Sequence, residues 1–168
     1  DWPRRLIVIA EQQSVPTPSP EWSRQALTLP LFCTILVSYA PFARDSLSWL
    51  DFAQALSRGY VYTHPDGGWL VFMHTAPDKS AEVHGGRWHE STDVMAGLVW
   101  RDARTTLIPS VMKELGVNVL NTFVPEGFDS VLHFVEYIGF HMKGRIPMGG
   151  TYDGVPRDLL VYSYRREV

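Results

Sequence analysis

Apolar and polar positions along the chain change period several times, and each change marks an element. Leu6-Ile7-Val8-Ile9-Ala10 is a β-branched run and predicts a first strand, while Ser14 to Pro20 carries three prolines and predicts a loop or an extended arm. Trp22, Ala26 and Leu29 share a helical spacing, so a helix is expected through Leu29; Phe32 to Tyr39 suits a buried strand or a buried helix equally. From Ser46 to Arg58 the stripe Leu47, Leu50, Ala53 and Leu56 predicts an amphipathic helix, capped by Asp45 or Ser46 and stopped by Gly59.

Tyr60 to His64 and Trp69 to Thr75 flank Pro65-Asp66-Gly67-Gly68, which predicts a β-hairpin. Ala76 to Thr92 is polar and glycine-containing and is expected to be a long loop, with Val83 and Trp88 as its large apolar members. Asp93 to Trp100 reads as a strand, and Leu107 to Leu115 as a short helix capped by Thr106 and ended by Gly116. Val117 to Val124 is the next strand and Phe128 to Ile138 a helix burying Val131, Leu132, Val135 and Ile138. Strands Phe140 to Ile146 and Leu159 to Tyr164 close the chain. The implied class is α+β, a mostly antiparallel twisted sheet flanked by helices, in one domain over residues 1–168.

Composition narrows the function classes. Charged residues make up 20% and hydrophobic ones 45% of the 168 residues, a globular balance. A net charge of -3 gives no direct signal for nucleic acid. The most apolar run, Leu29 to Phe42, is broken by Pro30 and Pro41 and is too short to span a bilayer. Arg4-Arg5 ahead of a five-residue apolar stretch falls short of a signal peptide. A lone Cys33 excludes an internal disulfide, and a cytoplasmic setting follows by default.

Between Val117 and Arg166, Gly139-Phe140 follows a helix, and Tyr152-Asp153-Gly154, Arg157-Asp158 and Tyr162-Ser163 follow in order. This arrangement resembles the C-terminal half of the GNAT family of acyl-CoA-dependent N-acyltransferases, and the likeness extends back to about Ser46. The resemblance implies a central strand that splays from its neighbour, with the acyl-CoA pantetheine in the gap. It also implies an Arg/Gln-x-x-Gly-x-Gly/Ala loop for the CoA pyrophosphate between that strand and the next helix. With Asp93–Trp100 as the central strand, the loop falls on Arg101, Asp102, Ala103, Arg104, Thr105 and Thr106, where Arg104 and Thr106 replace the small residues. Arg101, Arg104, Thr105 and Thr106 are then the residues left to hold a phosphate.

The family's general acid, a tyrosine four residues before the glycine of Gly-Phe, is Val135 here. Tyr137 is two residues further on and so faces another side of the helix; it and Tyr152 or Tyr162 are the tyrosines left as candidate acids, with Glu90 and Asp93 as candidate bases. These changes imply a diverged, non-catalytic GNAT-like binding or assembly component with a protein partner or a second copy of itself, a phage particle being one such setting. The alternative is an active N-acetyltransferase using acetyl-CoA. His64, His74, His84 and His89, with Glu82 and Glu90, have a metal-like composition, but their spacing matches no metal-site pattern and no metal is expected.

Overall fold

The computed structural model describes residues 21–74 and 79–167. The expected strand at Leu6–Ala10 and the proline-rich arm lie outside the described residues. Seven strands form one sheet in the order β1-β2-β3-β4-β5-β7-β6: β1 (Ser23–Gln25), β2 (Tyr60–His64), β3 (Gly68–Met73), β4 (Ser80–Arg87), β5 (Val119–Pro125), β6 (His141–Tyr152) and β7 (Val155–Arg165). Every pairing is antiparallel except that of β4 with β5.

Helices cover both faces of the sheet. Over one lie α1 (Leu29–Tyr39) and α2 (Trp49–Arg58), packed on Val61, Trp69 and Val71. Over the other lie α3 (Asp93–Asp102), a π-helical segment Ala103–Leu107, α4 (Ile108–Leu115) and α5 (Asp129–Tyr137), around Leu70, Phe72, Val83, Leu120 and Leu160. Alternation does the sorting, because successive residues of β3 point to opposite faces.

Four expectations need correction. Neither Asp45 nor Ser46 caps α2, which starts at Trp49 with Ser48 accepting from the Asp51 N–H at 3.3 Å. No helix ends at Leu29; β1 precedes, and a helix begins there, with Thr28 accepting from the Leu31 N–H at 3.3 Å and Pro30 in the first turn, where its missing N–H costs nothing. Residues 80–87 are a strand rather than part of a loop. Its two glycines answer to packing: a Cβ on Gly85 would sit 2.7 Å from Leu70 Cδ2, and one on Gly86 2.6 Å from Trp69 Nε1.

Asp93–Trp100 is helix, not strand. Ala96, Val99, Trp100 and Ala103 are buried at three- and four-residue spacing, and Thr92 caps the start by accepting from the Met95 N–H. Thr106 therefore caps nothing, since it lies inside the π segment joining α3 to α4.

The C-terminal motifs are structural staples. Asp153 and Gly154 both have positive φ, 50° and 71°, and form the two-residue turn between β6 and β7. Arg157 donates to the Glu126 carbonyl and lies over the Phe128 ring at 5.1 Å. Asp158 accepts from Arg145 and from the Met148 N–H, fixing the irregular stretch of β6.

Candidate functional site: a splayed cleft with an acid–base pair

The central strands separate after three paired residues. Ser80, Ala81 and Glu82 of β4 pair with Val119, Leu120 and Asn121 of β5, and beyond them β4 stays with β3 while β5 stays with β7. The gap is a cleft of about 300 Å³. Val83 to Arg87 line one side and Thr122 to Pro125 the other; Phe128, Val131, Phe134, Val135, Ile138 and Phe140 supply apolar wall, and Tyr39, Phe42 and Tyr152 close over it. A mostly apolar concavity with few polar groups is the usual form of a small-ligand site.

Among its polar groups, Tyr39 and His84 lie on the α1 side, with Glu82 behind His84. Strand period places Glu82 and His84 on one face of β4, and His84 Nε2 meets Glu82 Oε1 at 2.6 Å. The hydrogen bond from His84 holds the Glu82 carboxyl below its usual range, against the opposing effect of burial, so Glu82 is ionised near neutral pH. An ionised carboxylate only accepts, which puts the imidazole proton on Nε2 and leaves the Nδ1 lone pair available in the neutral ring. The Tyr39 ring lies edge-on to His84, centroids 6.4 Å apart. Burial, with Tyr152 and Glu82 nearby, pushes the Tyr39 hydroxyl up to about 12, and burial raises Tyr152 as well. Both hydroxyls keep their protons at neutral pH and can donate. The loop after α1 is pinned over this end, because Asp45 accepts from the backbone N–H groups of Asp153 and Gly154 at 2.9 and 2.8 Å.

The other end of the cleft is the turn from β4 into α3, Arg87-Trp88-His89-Glu90-Ser91-Thr92. The Arg/Gln-x-x-Gly-x-Gly/Ala pattern fits here in length, with Arg87 first and Glu90 and Thr92 in place of the glycines. The turn is folded on itself and on the β2–β3 turn. Arg87 Nη2 donates to the Ser91 carbonyl at 2.6 Å and pairs with Asp93 at 2.7 Å; the Trp88 indole N–H donates to the His64 carbonyl, and the Ser91 hydroxyl to that of Asp66.

The residues expected to hold a phosphate are placed elsewhere. Arg101 and Thr105 border a different pocket of about 400 Å³ with Glu21, His64 and Asp102, and the Thr105 hydroxyl donates to the Arg101 carbonyl. Arg104 donates to the Tyr137 carbonyl at the end of α5, and Thr106 is exposed on the π segment. They are not gathered into one cradle.

Of the acid–base candidates, Tyr152 lines the cleft. Tyr137 does not, and its hydroxyl donates to the Gly97 carbonyl, tying α5 to α3. Glu90 is exposed in the turn and Asp93 is paired with Arg87. The pair that sequence reasoning missed is Glu82 with His84. Their i, i+2 spacing would have placed them together had residues 80–87 been read as a strand. Among the described residues no group of three or more His, Cys, Asp and Glu could hold a metal ion, and no helix is long and apolar enough to cross a membrane.

Neither a protein-family model nor a curated protein sequence matches the chain, so the comparison is structural. The fold superposes on an acetyltransferase from Bacillus subtilis solved in complex with CoA, with a TM-score of 0.66 at 16% identity, over 88% of this chain and 99% of that one. It superposes on the ribosomal-protein-alanine N-acetyltransferase from Brucella melitensis with a TM-score of 0.62 at 17% identity, over 86% and 99%. For the ribosomal-protein-S18-alanine N-acetyltransferase from Escherichia coli the values are 0.61 and 10%, over 88% and 95%. The chain has the GNAT fold. In that fold β4 is a central strand, and the cleft is the splay between it and β5.

Proposed function

We propose that this GNAT-fold chain is an acyltransferase that moves an acyl group from a thioester to an amine, with His84 as the base. The observation that carries this reading is the 2.6 Å contact of Glu82 with His84, which lies on the wall of the splayed cleft. A carboxylate that fixes the tautomer of an imidazole makes the opposite ring nitrogen a directed base. The acceptor nitrogen bonds to the thioester carbonyl carbon, His84 Nδ1 takes the proton that nitrogen sheds, and the carbon–sulfur bond breaks. The departing thiolate takes a proton from water, and the His84 imidazolium gives its own to the hydroxide left behind, which restores the neutral ring. Thiols ionise near pH 8.5, so a thiolate leaves tolerably well unaided, and Val135 removes an assistance rather than a requirement.

The test is acyl transfer to a panel of primary amines and peptides with free N-termini, followed by thiol release and by the mass of the acylated product. Transfer is expected with the unaltered chain, and His84→Ala should lower kcat by about 10²- to 10⁴-fold with the fold intact. Transfer unaffected by His84→Ala, or none to any acceptor, removes the reading.

A second reading, a non-catalytic binding or assembly component, is favoured by the helices over the sheet. Leu29, Val37, Trp49 and Leu50 of α1 and α2 are 75%, 62%, 41% and 68% exposed, more apolar surface than a free-standing face usually leaves open. It predicts a stable oligomer or complex by size-exclusion with light scattering, together with no transfer.

A further inference from the structure

The end of the cleft where a CoA donor would lay its pyrophosphate is built against anions. A diphosphate seat at a helix start needs free N–H groups, small residues that let backbone approach, and positive charge. At the start of α3 the positive charge is already spent, because the Arg87 guanidinium is shared between the Ser91 carbonyl and the Asp93 carboxylate. Thr92 occupies the Met95 N–H, and the Ser91 N–H is donated to the Trp88 carbonyl. Glu90 stands where the loop pattern has its first glycine. Glu90 and Asp93 thus set two carboxylates against the one arginine of the turn. A phosphate arriving here meets like charge beside an arginine that is already engaged.

The remainder of the cleft is intact. Val83, Val124, Phe128, Val131, Phe134 and Phe140 give it mostly apolar walls, and about 300 Å³ is the lower end of the range for small-ligand sites, room for a linear thioester arm rather than for a nucleotide as well. The adenine-nucleotide portion of CoA therefore does not fit the residues present, although the arm does.

We infer that the cleft takes an acyl thioester of pantetheine without the nucleotide, either as a free pantetheine thioester or as the arm of a carrier protein. The inference rests on the acyltransferase reading for its chemistry, but its test reads binding and so stands apart from turnover. Titration calorimetry is run with S-acetyl-pantetheine, with acetyl-CoA, and with 3′-phospho-ADP alone. S-acetyl-pantetheine is expected to bind at least as tightly as acetyl-CoA, and 3′-phospho-ADP not to bind up to millimolar concentration. Acetyl-CoA binding more than tenfold tighter than S-acetyl-pantetheine overturns the inference, and so does failure of S-acetyl-pantetheine to bind. Binding in the expected order without transfer to any amine removes the acyltransferase reading and leaves this one standing.

The double variant Glu90→Gly/Asp93→Asn releases Arg87 from its ion pair and removes two carboxylates. It should tighten acetyl-CoA at least tenfold and leave S-acetyl-pantetheine unchanged; equal effects on both, or none, overturn the assignment of exclusion to this turn. A carrier protein bearing acetyl-phosphopantetheine separates the two sources. Tighter binding than the free thioester supports the carrier-borne form, and weaker binding the free one.

Discussion

At the scale of single residues, the functional content of the cleft rests on how Glu82 treats His84. The carboxylate is two residues away on an extended strand, so no loop movement is needed to bring the pair together. Glu82→Gln keeps the size and a polar contact but abolishes the charge that holds the imidazole proton on Nε2. The ring can then turn its lone pair toward position 82. On the proposed mechanism kcat falls by about 10- to 100-fold with KM nearly unchanged, a loss typical of removing an orienting group behind a working side chain. Rates measured against thioester concentration check this, and an equal fall for a substitution at exposed His89 would show that the effect is not specific to the pair. The histidines and carboxylates of this region are conspicuous in the sequence. Their pairing is not, because it depends on Ser80–Arg87 being a strand, and two glycines disguise it. What requires glycine at 85 and 86 is contact with Leu70 and Trp69, a long-range fact that local composition does not carry.

Elements differ in how much of themselves the sequence displays. The β2–β3 hairpin is legible because Pro65-Asp66-Gly67-Gly68 is a local turn signal, and α5 because its apolar stripe is periodic and Gly139, at φ 103°, ends it. Helix α3 is not legible as a helix. It is covered by α5, Trp22 and the sheet, so it lacks the polar stripe that would reveal a 3.6-residue period, and its apolar run imitates a buried strand. Misplacing the central strand then shifts the expected phosphate loop from Arg87–Thr92 to Arg101–Thr106.

One connection between elements was out of reach altogether, the clamp of Asp45 on the Asp153-Gly154 turn across more than a hundred residues. Two backbone N–H groups donating to one carboxylate are worth about 1–3 kcal/mol each at most, and less where solvent reaches them, as here. Asp45→Ala should cost about 1 kcal/mol in urea unfolding. Its sharper signature is local: amide hydrogen exchange at Asp153 and Gly154 should rise at least tenfold while the amides of β3 keep their protection. Equal exchange rates in the two proteins would mean that the loop after α1 is held by other contacts.

At the scale of the whole molecule, the tyrosines make stability depend on alkaline pH. Tyr39 is held up to about 12 mainly by burial, and Tyr62, Tyr137, Tyr152, Tyr162 and Tyr164 are all raised, each with burial as the largest cause. In the unfolded chain tyrosine ionises near pH 10, so above that the native state holds more protons than the unfolded one and stability falls as pH rises. The contribution of Tyr39 is complete below about pH 10 and is lost progressively as pH climbs toward 12. Two pH units of difference correspond to about 2–3 kcal/mol for this residue. Tyr39→Phe cannot ionise and should escape that part of the fall. Urea unfolding at pH 8, 10 and 11.5 is expected to show the variant within about 1 kcal/mol of the unaltered chain at pH 8 and gaining on it by about 1–2 kcal/mol at pH 11.5, short of the full shift. Parallel curves would show that the hydroxyl is not buried as described. The same burial has a consequence for the cleft: a hydroxyl that keeps its proton to pH 10 and beyond can donate a hydrogen bond but cannot serve as a base, and with the Glu82 carboxylate engaged by His84 and off the cleft wall, the role falls to His84.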